Sequence, residues 1–281
     1  MRSPYLFAML SPWIDVGAVG SSTLSLLETH FGARELGKLR RPGVFYDFTR
    51  YRPMVYTRED RREVRIANTF INYATGPGES DLLFLHSLEP HMFGETYVES
   101  ILKVMERLKV KRYCLLGGMY DSVPHTRPLI ITGGASEPGM QAELDRLNVS
   151  RSGYQGPTTI TILLVEQAPQ RGIENTTLIV HLPHYAQLEE DSSGQHALLS
   201  LICQLYNFPV DLSAVQSRGQ KQYRKIDLAV ERDPQVREMV KAMEMSYDAG
   251  LEAREGPEEM PRLAPEVEDF LREIDKGFSS N

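Results

Sequence analysis

The feature that most constrains the fold of this chain is a strand, helix and strand pattern between residues 81 and 116. The apolar run 81–88 is bounded by glycine and proline, which is typical of a strand buried on both faces. From 93 to 108, apolar residues recur at steps of three and four, which predicts an amphipathic helix. The run 111–116 predicts a second strand. In such a βαβ unit the two strands are parallel and the crossover is right-handed.

Regular elements continue on both sides of this unit and predict an α/β fold. The segment 160–168 fits a strand or a helix, because its residues are β-branched but follow a proline that suits a helix start. We assign it as a helix, since a strand there would leave the next strand without a crossover. The remaining predicted strands and β-rich segments lie at 5–10, 44–48, 54–56, 64–73, 130–135 and 177–182, and the remaining helices at 137–147, 195–206, 211–231 and 234–247.

Three of the predicted strands end in polar loops. The strand 111–116 meets Gly117 and Gly118, where we expect it to end and a loop to follow as far as Arg127. Open α/β sheets bind ligands at the carboxyl ends of their strands, so these loops are where a site is expected. We expect the three loops, 89–91, 117–127 and 183–185, to meet at one edge of the sheet.

A turn that contains two glycines follows the first strand. The next helix is predicted to begin at Ser21 or Ser22, because serine caps the free amides of the first turn. A helix N-terminus after such a turn can hold an anion. The segment 17–20 is neither a dinucleotide-binding fingerprint nor a P-loop, which needs a lysine beside the serine. A tight strand-to-helix turn therefore explains its glycines better than a nucleotide site does.

Ionisable and hydroxyl side chains collect after the predicted strands, and two roles for them stay open. An anion site would combine cationic and imidazole side chains with the amides beside the glycines. In the alternative, the same side chains hydrogen-bond the loops to one another. The candidate cluster comprises Asp15, Gly20, Ser21, Glu89, His91, Gly117, Gly118, His125, Thr126, Arg127, Thr158 and His184, with Asp121, His181 and Tyr185 in the same region.

Other site chemistries have less support. No histidine pair has the spacing of a helix-borne metal site, so we expect no metal. No Gly-x-Ser-x-Gly segment is present, and Cys114 lies within a predicted strand, which disfavours covalent catalysis. We assign no catalytic residue and no cofactor, and the sequence favours a non-enzymatic protein over an enzyme.

The composition indicates which classes of binding partner and which cellular location to expect. The formal net charge of −7 argues against a nucleic-acid-binding protein, which would show a basic face. No apolar run approaches the ~20 residues of a membrane span, and the N-terminus lacks the apolar region of a signal peptide. Cys114 and Cys203 lie in apolar surroundings that are typical of reduced thiols. We therefore expect a cytoplasmic protein that contacts neither nucleic acid nor membrane.

Several segments of the chain resemble the proteasome assembly chaperone 2 (PAC2) family in its bacterial, especially actinobacterial, and archaeal form. They span most of the chain, from Leu6 to about Tyr247. The most specific are Pro124-His125-Thr126-Arg127-Pro128, Gly156-Pro157-Thr158 and Pro183-His184-Tyr185, which occur in this order; the others are Trp13-Ile14-Asp15-Val16-Gly17 with Gly20-Ser21-Ser22, Tyr46-Asp47-Phe48 with Arg52-Pro53, and Glu89-Pro90-His91.

This resemblance implies an overall architecture. It predicts a three-layer α/β domain with a mostly parallel central sheet, of the phosphorylase/hydrolase-like kind and similar in topology to purine nucleoside phosphorylases, with helices toward the C-terminus. The α/β core is expected at 1–210 and a helical extension at 211–248. A flexible linker with a short tail helix, 265–276, is expected at 249–281, because this segment is rich in Glu, Pro and Gly before an apolar stripe recurs.

The resemblance also implies a function. It predicts a self-associating protein, trimer or dimer, with a chaperone-like or protein-binding role and with proteasome components as candidate partners. Some archaeal relatives dock on the proteasome through a C-terminal hydrophobic-Tyr-any motif, which the ending Phe278-Ser279-Ser280-Asn281 lacks. The alternative is a phosphorylase- or hydrolase-like enzyme that acts on a small anionic or nucleoside substrate at the strand-end loops. The family has no established catalytic residues to carry over, and a fold alone does not fix a function.

Overall fold

A computed structural model describes residues 2–58 and 60–255, which form nine strands and seven α-helices. The bounds follow the sequence-based prediction closely for most elements. The strands are β1 (Tyr5–Ser11), β2 (Arg34–Lys38), β3 (Met54–Arg58), β4 (Arg61–Arg65), β5 (Phe70–Ala74), β6 (Leu82–Leu88), β7 (Arg112–Asp121), β8 (Ile131–Ala135) and β9 (Glu174–Pro183), and the helices are α1 (Val19–Phe31), α2 (Gly94–Arg107), α3 (Pro138–Arg146), α4 (Thr161–Gln170), α5 (Ser192–Tyr206), α6 (Ser213–Arg232) and α7 (Pro234–Glu255).

Seven of the strands form one mixed sheet in the order β2-β5-β6-β1-β7-β9-β8. The four central strands β6, β1, β7 and β9 are parallel, β5 and β8 flank them in antiparallel orientation, and the edge strand β2 pairs antiparallel with β5. The βαβ unit of the sequence is present as β6-α2-β7, with β1 inserted between its two strands. The prediction of a mostly parallel central sheet is confirmed.

Helices cover both faces of this sheet and make three layers. Alternate residues of β1 point to opposite faces, as the strand pleat requires. Phe7 and Met9 join a core with α1 and α5, whereas Leu6 and Ala8 join a second core with α2 and α4. The central strands are therefore buried on both sides, which explains why they read as continuous apolar runs.

The C-terminal helices pack beside the α5 layer. The backbone of α6 approaches the start of α5 so closely that a Cβ at Gly219 would lie 2.7 Å from the Ser193 hydroxyl oxygen. Asp233 caps α7 as predicted, since its carboxylate accepts the Gln235 amide at 2.9 Å. Helix α7 continues to Glu255, so the predicted boundary at 248 is not a helix end. The predicted tail helix at 265–276 lies outside the described residues.

Three local predictions need correction. The β-rich segment 44–48 is not a strand, because a 3₁₀ turn at Pro42–Val44 leads into a loop that buries the rings of Phe45 and Tyr46. The β-rich segments at 54–56 and 64–73 reach closer to each other than predicted, since β3 continues to Arg58 and β4 already begins at Arg61. The strand 111–116 does not end at Gly117 but continues to Asp121 as β7.

No helix in residues 2–58 and 60–255 combines the length and the apolar character that crossing a bilayer requires.

Candidate functional site

The predicted site residues lie in loops at the carboxyl edge of the sheet, but the edge is wide. The parallel strands β6, β1, β7 and β9 end at Leu88, Ser11, Asp121 and Pro183. Neighbouring strands are about 4.8 Å apart, so the ends of β6 and β9 are separated by roughly 14 Å. The three loops share an edge as predicted, yet they do not converge on one point.

The N-terminus of α1 is capped by an aspartate and not by a serine. The helix begins at Val19, before the predicted start, and the Asp15 carboxylate accepts the Ser21 amide at 2.9 Å. The Ser21 hydroxyl donates to the Ala18 carbonyl at 3.2 Å instead of capping the helix. The prediction that Ser21 or Ser22 caps the helix is wrong, because the preceding 3₁₀ turn brings Asp15 over the free amides.

Gly117 and Gly118 make room for the connection between β1 and α1. A Cβ at Gly117 would lie 2.5 Å from the Ile14 carbonyl oxygen, and the Gly118 amide donates to that same oxygen at 2.7 Å. Gly20 is similarly confined, since a Cβ there would lie 3.0 Å from an Asp15 carboxylate oxygen. These glycines are therefore explained by close backbone approach.

The amides proposed for an anion are already hydrogen-bonded within the protein. The Ser21 amide is directed at Asp15 and the Gly118 amide at Ile14. Burial raises the pKa of Asp15, although its hydrogen bonds from Ser21 work in the opposite direction. The anion site stays a prediction, and a carboxylate at the helix N-terminus opposes it electrostatically.

His125 is buried in a three-residue hydrogen-bond network that joins its loop to α6. The Tyr185 hydroxyl oxygen accepts the His125 amide at 2.9 Å and lies 2.6 Å from Nδ1 of the same residue. Since Tyr185 has its own proton to donate, Nδ1 accepts it and Nε2 donates to Asp227 at 2.9 Å. The imidazole is 1% exposed. His125 therefore attaches α6 to the core and presents no free nitrogen to a ligand.

Thr126 and Arg127 continue this attachment to α7. The Arg127 guanidinium donates to both oxygens of Asp248, at 2.9 and 2.8 Å, and lies 3.4 Å from Glu244. The Thr126 hydroxyl also donates to Glu244, at 2.5 Å. Hydrogen bonds from Arg127 lower the pKa of Asp248. The cation that sequence analysis assigned to an anion site is thus paired with two carboxylates of α7.

Glu89 and His91 lie in a separate polar cavity of about 830 Å³ after β6. His91 Nδ1 accepts the Asp47 amide at 3.1 Å, and Glu89 Oε1 accepts the Ile160 amide at 3.3 Å. Burial raises the pKa of Glu89, and its Oε2 atom is buried without a hydrogen-bond partner among the described residues. These two predicted residues are brought together with each other but not with the His125 loop.

Thr158 belongs to a larger cavity, and His184 lies near its strands. The cavity, about 900 Å³, is bordered by Thr158 and by residues of β7, β8 and β9. His184 Nδ1 lies 3.2 Å from the Asp121 carbonyl oxygen. The Asp121 carboxylate contacts His181 Nδ1 at 2.7 Å, and His181 Nε2 lies 2.8 Å from the Thr132 hydroxyl.

The residues that organise this edge include several that sequence analysis missed. Asp227, Glu244 and Asp248 hold the His125 loop, and Asp191 caps α5 by accepting the Gly194 amide at 2.8 Å. The side chain of Tyr223 donates to Asp191 at 3.1 Å. Asp191 precedes α5, whereas Tyr223, Asp227, Glu244 and Asp248 lie on α6 and α7, helices of mixed charge where periodicity identifies the helix but not which polar residue finds a partner. Within the described ranges, no group of three histidine, cysteine or carboxylate side chains is arranged to hold a metal ion.

Two substitutions of Asp15 distinguish the effect of the helix cap on stability from the effect of the buried charge. Asp15→Ala should lower the free energy of unfolding by about 1 kcal/mol, because the Ser21 amide loses its acceptor. Asp15→Asn keeps an acceptor oxygen and should be at least as stable as the wild type at neutral pH, because no charge is buried. The folded-state pKa of Asp15 is raised, so folding favours its protonated form. Its contribution to stability is therefore present at low pH and lost as the pH rises above about 4.

Urea unfolding of the three proteins between acidic and neutral pH measures this effect. We expect the wild type to lose stability relative to Asp15→Asn as the pH rises. A stability difference that does not change with pH would contradict the assignment of a raised pKa to Asp15.

Substitution of His125 tests the attachment of α6. His125→Ala removes a buried imidazole and both of its side-chain hydrogen bonds, and should lower the free energy of unfolding by about 2 kcal/mol or more. The matched control is His30→Ala on the exposed side of α1, where we expect a change within about 0.5 kcal/mol. Chemical unfolding measures both, and hydrogen exchange should show faster exchange in α6 for His125→Ala. Equal losses in the two variants would refute a structural role for His125.

Comparison with known proteins shows which solved structures resemble this one. Among solved structures, a PAC2 family protein from Streptomyces avermitilis matches with a TM-score of 0.76 at 24% identity, over 84% of this chain and 99% of that chain. A proteasome-assembly chaperone homologue from Mycobacterium tuberculosis matches with a TM-score of 0.74 at 22% identity, again over 84% and 99% of the two chains. An archaeal proteasome activator from Pyrococcus furiosus matches with a TM-score of 0.63 at 15% identity, over 82% and 94%.

These identities are low, so the structural matches show a shared fold and no more. No curated protein matches the sequence. The model of the PAC2 family matches residues 9–230, which run from the end of β1 through the His125 loop to most of α6. The resemblance that the sequence motifs carried is confirmed, and the chain belongs to the PAC2 family.

Proposed function

We propose that this chain is a chaperone-like, protein-binding member of the PAC2 family that self-associates in the cytoplasm. The observation that carries the proposal is the exposed strand pair of β3 and β4, residues 54–58 and 61–65, which we call the arm. The names of two structural relatives, a proteasome-assembly chaperone homologue and a proteasome activator, support a protein partner.

The arm presents an apolar surface that the rest of the described chain does not cover. Its strands pair with each other and form a sheet of their own. Every residue of both strands is exposed, including Met54 at 53%, Val55 at 49%, Tyr56 at 43% and Val64 at 60%. Val55 pairs with Val64 on one face of the hairpin, and Met54 and Tyr56 lie on the other. A two-stranded hairpin is marginally stable in water, and exposed apolar side chains on both faces favour a partner. A partner that covers the arm would both stabilise it and bury this surface.

The charges on the arm favour a second copy of the chain, paired through β3. Two antiparallel copies of β3 centred on Tyr56 would place Arg58 of one opposite Met54 of the other, with no like charges facing. Two copies of β4 centred on Glu63 would place Arg61 opposite Arg65, and directly opposed like charges destabilise a strand pair. The open edge of β3 is therefore the better template for pairing between chains.

A charge on β3 should weaken self-association. Tyr56→Asp would place a carboxylate at the centre of the pairing and should raise the dissociation constant of the oligomer by about tenfold or more. Val104→Asp is the matched control, because Val104 is an exposed apolar residue of α2, outside the arm, with 38% of its surface accessible. Sedimentation equilibrium measures the association of the three proteins. A wild type that stays monomeric, or a Tyr56→Asp variant that associates as well as Val104→Asp, would overturn the role of the arm.

A proteasome partner can be tested with purified components. We expect the wild-type chain to form a complex with free proteasome subunits and to change how fast they assemble, as followed by native gel and mass spectrometry. Val104→Asp should act like the wild type, which separates a specific effect from a general loss of apolar surface. Assembly that proceeds at the same rate with and without the chain, and no complex at micromolar concentration, would contradict a proteasome-related role.

A further inference from the structure

A hydroxyl, an imidazole and a carboxylate are hydrogen-bonded in series across three neighbouring strands. Asp121 ends β7, His181 lies in β9 and Thr132 lies in β8. The register pairs Met119 with His181 and Thr132 with Ile179, so these residues share the face of the sheet on which α2 and α4 pack. The distances are 2.7 Å from the Asp121 carboxylate to His181 Nδ1 and 2.8 Å from His181 Nε2 to the Thr132 hydroxyl. We call these three residues the relay.

The positions of the protons in the relay follow from its chemistry. The hydrogen bond from His181 lowers the pKa of Asp121, so this carboxylate is ionised and can only accept. Nδ1 of His181 must therefore donate, and in the neutral imidazole Nε2 is left as an acceptor. The Thr132 hydroxyl then donates its proton to Nε2. A hydroxyl whose proton points at an oriented base is an activated nucleophile.

Thr132 borders the cavity of about 900 Å³, which supplies room for a substrate. His181 is 11% exposed and does not itself line the cavity, so the base is largely shielded from solvent. The surface that lines the cavity is mainly apolar and includes Trp13, Met119 and Ile179. Apolar walls with a few polar groups are typical of small-molecule sites. An acyl chain fits this lining better than a charged or nucleoside group does.

The pairing of the strands does not require the relay. Backbone register alone joins β7 to β9 over ten residue pairs and β9 to β8 over five. The side chains of the relay form a partly buried network, in which 11% of His181 and 43% of Asp121 are exposed, on a face of the sheet that also carries Asn175 and Thr177. The hydrogen bonds within the network satisfy its polar groups, and its hydroxyl end borders a cavity.

We propose that Thr132 is the nucleophile of an esterase site, with His181 as its general base and Asp121 as the positioning residue for His181. The substrate class is an ester of an apolar carboxylic acid. This site lies outside the protein-binding function proposed above and does not depend on it.

The reaction balances with water as the second reactant. Thr132 Oγ1 bonds to the ester carbonyl carbon while its proton moves to His181 Nε2. Collapse of the tetrahedral intermediate breaks the bond to the leaving alcohol, which takes the proton from Nε2. Water then attacks the acyl-threonine, gives a proton to Nε2, and releases the carboxylic acid as Thr132 regains its proton.

Hydrolysis of p-nitrophenyl hexanoate by the purified full chain tests this proposal. We expect turnover that falls about 100-fold or more in Thr132→Val, which keeps the shape of the side chain but lacks the hydroxyl, and that persists in Thr132→Ser. Thr29→Val, which removes a hydroxyl from the exposed side of α1, should leave turnover unchanged. Asp121→Asn and His181→Gln should lower kcat and leave KM near the wild-type value, which a purely structural role would not produce.

Covalent labelling of the wild-type protein keeps the proposal falsifiable even if a variant fails to fold. A fluorophosphonate probe should form a bond from its phosphorus to Thr132 Oγ1 with loss of fluoride, and peptide mass spectrometry should locate the adduct at Thr132. An adduct on another residue, no adduct at all, or hydrolysis no faster than with Thr132→Val would overturn the proposal.

Discussion

The contact between Ile14 and the glycine pair of β7 sets the arrangement of the N-terminal half of the sheet. The Ile14 carbonyl oxygen occupies the space next to Gly117 in which any side chain would stand, and accepts the Gly118 amide at 2.7 Å. This bond fixes the connection between β1 and α1 against a strand that is distant in sequence. Asp15 then lies over the first turn of α1, where its carboxylate accepts the Ser21 amide. The direction of α1, and with it one of the two core layers, follows from a single close backbone approach.

The attachment of the C-terminal helices rests on polar contacts more than on apolar ones. Helix α6 buries only Val215, Gly219 and Val230 among its twenty residues, so its apolar contribution to packing is small. The contacts of Arg127 with α7 are exposed, and exposed ion pairs contribute little to stability. The buried contacts of His125 with Asp227 and of Tyr223 with Asp191 are therefore the main polar contributions to the attachment of α6. The segment that carries the family resemblance serves here to hold helices in place.

Protein binding and small-molecule chemistry would occupy opposite edges of the molecule. In the sequence, the arm lies between β2 and β5, which are the two strands at one edge of the sheet. The large cavity lies against β7, β9 and β8 at the other edge. A second copy of the chain that covers β3 would leave the cavity open. A protein fold does not by itself select one function, and this sheet has room for two independent sites.

The sequence by itself determined the elements and the family. Apolar runs and three-to-four-residue periodicity predicted the central strands, α2 and α5, because burial on both faces or on one stripe leaves a local signature. Order-specific motifs such as Pro124-His125-Thr126-Arg127-Pro128 identified the family without any knowledge of their contacts. Where a backbone met a distant segment, local signals misled: a glycine pair predicted a strand end in the middle of β7.

Only the tertiary structure decided which polar residues meet. Most of the twelve candidate residues were predicted to follow strands, but strand order spread them along an edge roughly 14 Å wide. Arg127 found its carboxylates on α7, more than a hundred residues away, and Thr132 reached His181 through the antiparallel pairing of β8 with β9. Such contacts depend on register and on helix rotation. Neither quantity is encoded in any short stretch of sequence. The sequence therefore predicted the edge at which the polar residues lie, but not which residues are hydrogen-bonded to each other.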